Sequence, residues 1–164
     1  MLMSPLVRLA RAAGLAVFVA SPVFAQEPAP VPVLAGEVYA DSLGAEDSHA
    51  YSMELETDYF VLGSVEQITV DVVVTIKDAA GEEVARFDSP ARGPENFQFT
   101  TETPGVYRFE VSAFEEETGL YEFELSRVEP EATTPAGQVD QLMSVYTGDD
   151  TPGVVAARVR DGEV

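Results

Sequence analysis

The sequence predicts an all-β protein built around an antiparallel, jelly-roll-like β-sandwich of about eight strands. Two observations support this prediction. Over residues 33–129 apolar and polar residues alternate with a period of two, and turn-forming residues separate the alternating segments at short intervals. Such alternation is typical of strands with one buried and one solvated face, as in antiparallel sheets. A third observation, a change to a helical period after residue 130, predicts a C-terminal helix.

Composition narrows the class of protein. The chain has 164 residues, no cysteine, one histidine (His49) and 29 Asp plus Glu against 9 Lys plus Arg, for a net charge of −20. This acidity opposes binding to nucleic acid, because phosphates are neutralised by Lys and Arg. It equally opposes docking on anionic lipid. The missing cysteine excludes disulfides, thiolate metal sites and cysteine nucleophiles, and a single histidine excludes a multi-histidine metal centre.

Residues 1–25 have the pattern of a secretory signal peptide. Arg8 and Arg11 form a positive region, and residues 12–20 form an apolar core too short to span a bilayer. We predict cleavage after Ala25 and an exported protein, periplasmic or extracellular, without a membrane anchor. The alternative is an uncleaved N-terminal anchor, which the short apolar core disfavours. Cleavage removes two arginines and no acid, so the mature chain would carry −22.

The next two segments are a linker and the sandwich. Residues 26–32 contain three prolines and are predicted to be an extended linker. In residues 33–129 the apolar positions expected to face the core are Tyr51, Met53, Leu55, Val70, Val72, Val74, Ile76, Phe97, Phe99, Tyr107, Phe109, Val111, Tyr121, Phe123 and Leu125. Turns are expected at 41–44, 78–81, 89–90, 92–94, 104–105 and 118–119. Thr75 and most acidic residues fall on outward positions or in turns, where charge keeps the surface soluble.

Six segments of the sandwich carry a family resemblance: 36–38, 49–55, 65–67, 71–81, 104–111 and 119–125. Together they resemble the bacterial pre-peptidase C-terminal (PPC) domain, and the match extends over nearly all of residues 33–129. Its motifs are patterned hydrophobic residues and turns, which specify a fold better than an activity. The resemblance implies a jelly-roll sandwich that serves as an accessory module of secreted enzymes. It also implies calcium or a polymeric substrate as a ligand, since some members of the family bind these.

Residues 130–164 change to a helical pattern and begin a second unit. Thr134 is predicted to cap a helix whose first residue is Pro135. Four apolar residues then fall on one helix face, at Val139, Leu142, Met143 and Tyr146. This face is expected to need a partner that would bury it.

Beyond that helix, residues 154–159 are predicted to form a strand, and Asp161-Gly162 is a hairpin signal. The sequence ends two residues later, before a returning strand. The helix and residues 151–164 resemble the start of the catalytic domain of the serine beta-lactamase and penicillin-binding-protein-like hydrolases. That resemblance extends over residues 138–164 and includes no catalytic position. It implies a truncated chain whose partner in cis is the missing C-terminal hydrolase domain.

No catalytic residue is predicted within the chain itself. The nucleophile of such hydrolases lies in a Ser-x-x-Lys motif. Lys77 is the only lysine, and Val74 occupies the position where the serine would be. His49 lies at the start of a predicted strand, at the turn that contains Glu46 and Asp47, where a solvated side chain is expected and a Ser-His-Asp triad is disfavoured.

Calcium is the one metal that the sequence leaves open, because clustered carboxylates are its usual ligands. The candidate ligands are Asp71, Asp78 and Asp88, together with the acidic run 115–117. The sequence contains no EF-hand loop, so a solvated acidic surface without a cofactor is the favoured interpretation.

The tyrosines offer a second choice between a binding site and the core. They could line a face that binds a sugar or another polymer, or they could pack inside the sandwich. Their spacing along the strands favours the core. The residues concerned are Tyr39, Tyr51, Tyr59, Tyr107 and Tyr121.

The function predicted from the sequence is a non-catalytic, secreted accessory module at the N-terminus of a serine hydrolase. On this interpretation the chain is not an enzyme, although its full-length parent is. The alternative is a stand-alone exported binding module for a polymer, a peptide or calcium. An enzyme in its own right is the third and least favoured possibility.

Overall fold

The computed structural model describes residues 28–89 and 92–146, which form a β-sandwich with one α-helix. The strands are β1 (Val31–Pro32), β2 (Val38–Leu43), β3 (Ser48–Leu55), β4 (Tyr59–Gln67), β5 (Val72–Lys77), β6 (Glu83–Phe87), β7 (Gly93–Thr100), β8 (Gly105–Ala113) and β9 (Gly119–Pro130). The helix α1 spans Pro135–Leu142, and single 3-10 turns are formed by Phe114–Glu116 and Ser144–Tyr146. The predicted all-β sandwich is confirmed.

The strands form two sheets. The five-stranded sheet has the order β1-β3-β8-β5-β6, and the four-stranded sheet has the order β2-β9-β4-β7. Every pairing is antiparallel except that of β1 with β3, which is parallel. The strands β2 and β7 are therefore the edges of the four-stranded sheet, and the long strands β4 and β9 form its centre.

The core lies between the inner faces of the two sheets. All but two of the residues predicted to face the core are buried, and Met53 and Phe99 are partly buried against it. The centre is aromatic, with Tyr51 stacked on Phe123 at a centroid distance of 4.3 Å and an interplanar angle of 10°. Burial of these large side chains contributes about 1.5–3 kcal/mol each, which makes them the main source of stability.

Strand β5 departs from the predicted alternation. Thr75 was expected on a solvated face, but Val73 and Thr75 are both buried. Strand β5 lies between β8 and β6, and Glu110 of β8 is directly opposite Thr75. Lys77 Nζ lies 2.8 Å from Glu110 Oε2 on this outer face. Long charged side chains therefore extend over the outer face of the strand and exclude water from it.

Two predicted boundaries were wrong. A turn was expected at residues 41–44, but β2 continues to Leu43 because Asp41 pairs with Tyr121 of β9. The turn follows instead, with the amide of Asp47 donating to the carbonyl of Gly44 at 3.1 Å. The sheet also begins inside the predicted linker 26–32, since Val31 pairs with Tyr51.

The C-terminal helix begins as predicted but buries a different side. Thr134 is the N-cap, and its hydroxyl accepts a hydrogen bond from the amide of Gly137 at 3.2 Å. The helix ends at Leu142, whose side chain is 49% exposed, whereas Gln141 is only 7% exposed. The apolar face predicted for this helix is therefore only partly covered, and a polar residue takes the buried position.

Several predictions concern residues outside the described part of the chain. These are the signal peptide 1–25, the strand 154–159 and the hairpin at Asp161-Gly162. They stay predictions. Within the described part, no helix has the length and apolar character needed to cross a bilayer.

Candidate functional site

A hydrogen-bonded chain of three side chains joins the two sheets at one end of the sandwich. His49 lies on β3 with the same inward orientation as Tyr51, because side chains two residues apart share a face of a strand. Its Nδ1 atom is 2.7 Å from the hydroxyl oxygen of Tyr121 on β9. That oxygen is in turn 2.7 Å from the hydroxyl oxygen of Tyr51. The rim of the site is formed by Asp41 of β2, whose Oδ2 lies 3.4 Å from His49 Nδ1.

The surroundings of this hydrogen-bonded network keep the phenols of Tyr51 and Tyr121 neutral. Burial raises the pKa of Tyr121 far above its ordinary value, and the Tyr51 hydroxyl and the Asp41 carboxylate add to the effect. Burial also raises the pKa of Tyr51. Neither phenol is therefore available as a base near neutral pH. The arrangement is suited to fixing the two sheets to each other rather than to moving protons.

The position of His49 corrects the sequence interpretation. It was expected at the start of a strand with a solvated side chain; it does lie in β3, but its side chain is only 28% exposed. The alternation that identified Tyr51 and Met53 as inward residues extends back to His49, and this signal would have placed it correctly. Its partners in the described residues are a phenol and a carboxylate, so the structure does not assemble a Ser-His-Asp triad around it.

A shallow groove of about 330 Å³ lies on the outer surface close to the hydrogen-bonded network of His49, Tyr121 and Tyr51. It is at the β2–β9 corner of the four-stranded sheet. Residues Ala40 and Ser42 of β2 form one side, and Leu120 and Glu122 of β9 form the other. Ile68, in the connection after β4, completes the wall. The groove is thus lined by apolar and acidic side chains.

The calcium candidates Asp71, Asp78 and Asp88 do not come together. Asp71 and Asp78 flank β5 at opposite ends, roughly 20 Å apart at the usual rise of a strand. The Oδ1 of Asp78 accepts hydrogen bonds from the amides of Ala80 and Glu82, each at 2.9 Å, which is a turn-forming role. Within residues 28–89 and 92–146, no group of three acidic or histidine side chains is placed to hold a metal ion.

Two of those carboxylates do share a corner with a buried glutamate. Glu95 of β7 is 2% exposed, and its Oε2 accepts a hydrogen bond from the amide of Ser89 at 2.6 Å. Burial raises the pKa of Glu95, and the nearby Asp88 and Asp71 raise it further. Burial likewise raises the pKa of Asp71, with Glu117 as the next contributor. The corner therefore places two carboxylates close to a buried acid, and their mutual repulsion favours the protonated form of Glu95.

Three of these five tyrosines belong to the core, as their spacing predicted. Tyr51, Tyr107 and Tyr121 are buried. Tyr39 is half-buried, and its hydroxyl accepts a hydrogen bond from the amide of Leu34 at 2.9 Å. Tyr59 is also half-buried. These rings therefore do not form an exposed aromatic face for a sugar.

The segment that follows β9 returns to the sandwich and is held by Gln141. The amide of Ala132 donates to Gln141 Oε1 at 2.8 Å, and Gln141 Nε2 donates to the carbonyl of Pro130 at 3.0 Å. Residues 131–146 also line grooves with the outward-facing Phe60 and Leu62 of β4. Those two side chains are only 3% and 8% exposed, although they lie outside the core.

Comparison with known proteins identifies similar folds. No family model and no curated protein matches this chain. Among solved structures, Aeromonas hydrophila PliG, a periplasmic lysozyme inhibitor of g-type lysozyme, has a TM-score of 0.52 at 12% identity, over 61% of this chain and 96% of PliG. At that identity the likeness concerns the fold alone.

Two further structures have somewhat lower scores. The pre-peptidase C-terminal domain of Bacillus anthracis collagenase has a TM-score of 0.48 at 12% identity, over 62% of this chain and 98% of that domain. Salmonella Typhimurium PliG has a TM-score of 0.47 at 14% identity, over 61% of this chain and 98% of PliG. A PPC domain is thus among the similar structures, while the hydrolase start predicted for residues 138–164 stays a prediction.

Proposed function

We propose that this chain is an exported, non-catalytic accessory module that stands ahead of a serine hydrolase domain. The observation that carries the proposal is the attachment of residues 131–146 to the end of β9 through Gln141, whose Nε2 donates to Glu129 Oε1 and to the carbonyl of Pro130. A chain that left β9 freely would behave as a flexible tether. A chain bound back onto the outer face of the sheet gives the next segment a defined starting point, which favours a positioned module over a free tether.

Further contacts strengthen this attachment. The amide of Glu131 donates to the carbonyl of Asp58 at 2.7 Å, so the segment is fixed from its first residue. Gln141 Nε2 also donates to Glu129 Oε1 at 2.9 Å. Because Gln141 is buried, loss of these hydrogen bonds would leave polar groups unsatisfied at a cost of about 1–3 kcal/mol. The attachment is therefore a stable part of the fold.

The non-catalytic part of the proposal rests on the site around His49. The imidazole is directed at the phenol of Tyr121, which burial keeps neutral. A general base would need a nucleophile or a water positioned within hydrogen-bonding reach of it. The geometry supports a structural role for this histidine, and the reaction is assigned to the domain that follows.

The proposals of export and of a following hydrolase domain rest on the sequence. The predicted signal peptide 1–25 supports export, and the resemblance of residues 138–164 to serine hydrolases supports the identity of the following domain. The encoding gene tests the hydrolase proposal, and the exported gene product tests the proposal of export. The reading frame should continue past Val164 into a helix bearing Ser-x-x-Lys, and the exported protein should begin at Gln26. A stop codon directly after Val164 would contradict the hydrolase assignment.

A stand-alone exported binding protein is the second candidate, and the groove at the β2–β9 corner favours it. PliG, whose fold is similar, is a lysozyme inhibitor, which illustrates a use of such a sandwich in binding. The two candidates differ in whether a catalytic domain follows in the same chain.

A further inference from the structure

We infer that the β2–β9 corner of the four-stranded sheet binds a basic polypeptide segment that presents an apolar side chain flanked by lysine or arginine. This surface is called the acidic-apolar surface here and comprises Ala40, Ile68, Leu120, Glu66 and Glu122. The inference goes beyond the proposed function, because it does not depend on which domain follows the sandwich.

The floor of the acidic-apolar surface is made by two large apolar side chains. Ile68 and Leu120 are 46% and 52% exposed. They are held side by side because the amide of Leu120 donates to Thr69 Oγ1 at 2.7 Å and the amide of Thr69 donates to the carbonyl of Leu120 at 3.1 Å. The groove between them and Ala40 measures about 330 Å³, which suits the insertion of one apolar side chain.

On the other half of the same sheet face, outward-facing apolar residues are covered by the protein's own chain. Phe60 and Leu62 also point outward from β4, yet both are buried beside residues 131–146. The described chain provides no such cover for Ile68 and Leu120. Exposed apolar surface beside a polar rim is typical of a site that a partner covers.

The rim of the surface is acidic and electrostatically unfavourable as it stands. Glu66 of β4 and Glu122 of β9 are directly opposite each other in the sheet register, with their side chains on the same outer face. Glu124 follows on that face, opposite Ser64. Like charges directly opposite each other destabilise a sheet. Within the described residues none of these three carboxylates forms an ion pair.

The basic residues of the described chain lie elsewhere. Lys77 and Arg108 both pair with Glu110 on the outer face of the five-stranded sheet. Arg127 pairs with Glu129 further along β9, Arg92 acts on Asp71, and Arg86 lies on β6 of the five-stranded sheet. The charge that would relieve the repulsion between the rim carboxylates must therefore come from outside this part of the chain.

Charge also selects the partner. With a net charge of −20, a second copy of the chain and an anionic membrane would both be repelled. A basic segment is attracted, and its cations would be placed between Glu66 and Glu122 while its apolar side chain fills the groove. Complementary charge of this kind mainly raises the association rate and is weakened by salt.

The probe for this surface is the synthetic peptide Lys-Val-Lys-Leu-Lys-Val-Lys, titrated into the isotopically labelled mature protein. We expect saturable binding with a Kd below about 1 mM at low salt. Amide shift changes should concentrate on Ala40, Ile68, Leu120 and Glu122. Raising the ionic strength from about 20 to about 150 mM should weaken binding several-fold, because it shortens the screening length.

Matched variants distinguish the contribution of the groove to peptide binding from that of general electrostatic attraction. Leu120→Ser should weaken binding at least about fivefold through loss of apolar contact. Val106→Ser is the control, since Val106 is also 52% exposed but lies on the five-stranded sheet, and it should leave binding unchanged. Glu122→Gln should weaken binding and reduce the salt dependence, whereas exposed Glu54→Gln on β3 should do neither.

The inference is overturned by any of four results. These are the absence of binding at millimolar peptide, equal binding of hepta-lysine, shift changes centred on the five-stranded sheet, and self-association through the same residues in sedimentation experiments. None of these results would alter the reading frame after Val164, so the failure of this inference is distinguishable from failure of the proposed function.

Discussion

The hydroxyl of Tyr121 lies 2.7 Å from Nδ1 of His49, and this contact joins the two sheets of the sandwich. Tyr121 has no exposed surface. Its hydroxyl therefore has no access to bulk water as a replacement partner, and it also serves Tyr51 at 2.7 Å. One buried oxygen thus satisfies two polar side chains of the opposite sheet.

Substitution of Tyr121 by phenylalanine tests this relationship. Tyr121→Phe removes the shared oxygen and leaves the Tyr51 hydroxyl and His49 Nδ1 without it, so we expect the free energy of unfolding to fall by about 1–3 kcal/mol. Tyr107→Phe is the matched control, since the Tyr107 hydroxyl donates to a single carbonyl, that of Thr103, at 2.9 Å. Urea unfolding of both variants gives the comparison. Equal stability of Tyr121→Phe and the wild type would show that the network contributes nothing.

Gly63 predicts a packing effect at the centre of the sandwich. A Cβ at this position would overlap the ring of Phe97 and lie 2.7 Å from the carbonyl oxygen of Glu124. Gly63→Ala should therefore lower the free energy of unfolding by about 1–3 kcal/mol through overpacking. Ser64→Ala, at the next and outward-facing position, should change it by less than about 0.5 kcal/mol. Thermal unfolding that shows no difference between the two variants would contradict this packing.

Glu95 predicts a pH dependence of stability. Burial raises its pKa in the folded state, so between the ordinary and the raised pKa the folded protein binds more protons than the unfolded chain. Stability contributed by the protonated form is therefore lost as pH rises through this window. Glu95→Gln keeps an acceptor for the Ser89 amide but carries no charge, and it should be more stable than the wild type at pH 7.

The measurement for Glu95 is the midpoint of urea unfolding from pH 4 to pH 8. The curve of Glu95→Gln should fall less steeply with rising pH than that of the wild type. The exposed Glu54→Gln on β3 serves as the control and should follow the wild-type curve. A destabilised Glu95→Gln at pH 7 would mean that the ionised carboxylate makes a favourable interaction.

Calcium should leave the protein unchanged. Asp71 and Asp78 lie at opposite ends of β5, and Asp78 is engaged in a turn. We therefore expect the thermal midpoint to stay constant when calcium is added to millimolar concentration, with magnesium as the control for ionic strength. A rise with calcium alone would reveal a site, because a ligand bound to the folded state raises the midpoint.

The sequence predicted the core well because alternation is a local signal. Residues such as Tyr107, Phe109 and Val111 are all buried, in agreement with their period of two. The same rule missed Thr75, because the burial of a central strand on both faces depends on neighbours that are distant in sequence. The order of the strands is equally non-local, since β3 pairs with β8 and β2 pairs with β9.

The candidate site was less predictable for a similar reason. Asp41 was placed in a turn, because its sequence context is typical of one, but pairing with Tyr121 extends the strand through it. His49 acquires its role only when β9 brings Tyr121 across the sandwich. Gln141, a polar residue on an otherwise amphipathic helix, is buried because the end of β9 offers it hydrogen-bonding partners. Neither the contact between His49 and Tyr121 nor that between Gln141 and the end of β9 can be recognised from the neighbouring sequence.

The most direct test of the central claim is the hydrolytic turnover of the full-length gene product after His49→Ala. We expect turnover within about twofold of the wild type, since His49 bonds to a buried phenol and the proposed function assigns the chemistry to a following domain. Circular dichroism and thermal unfolding establish that the variant is folded at the assay temperature. A loss of turnover of about a hundredfold or more in a folded variant would contradict the claim, because it would place a catalytic residue in the sandwich.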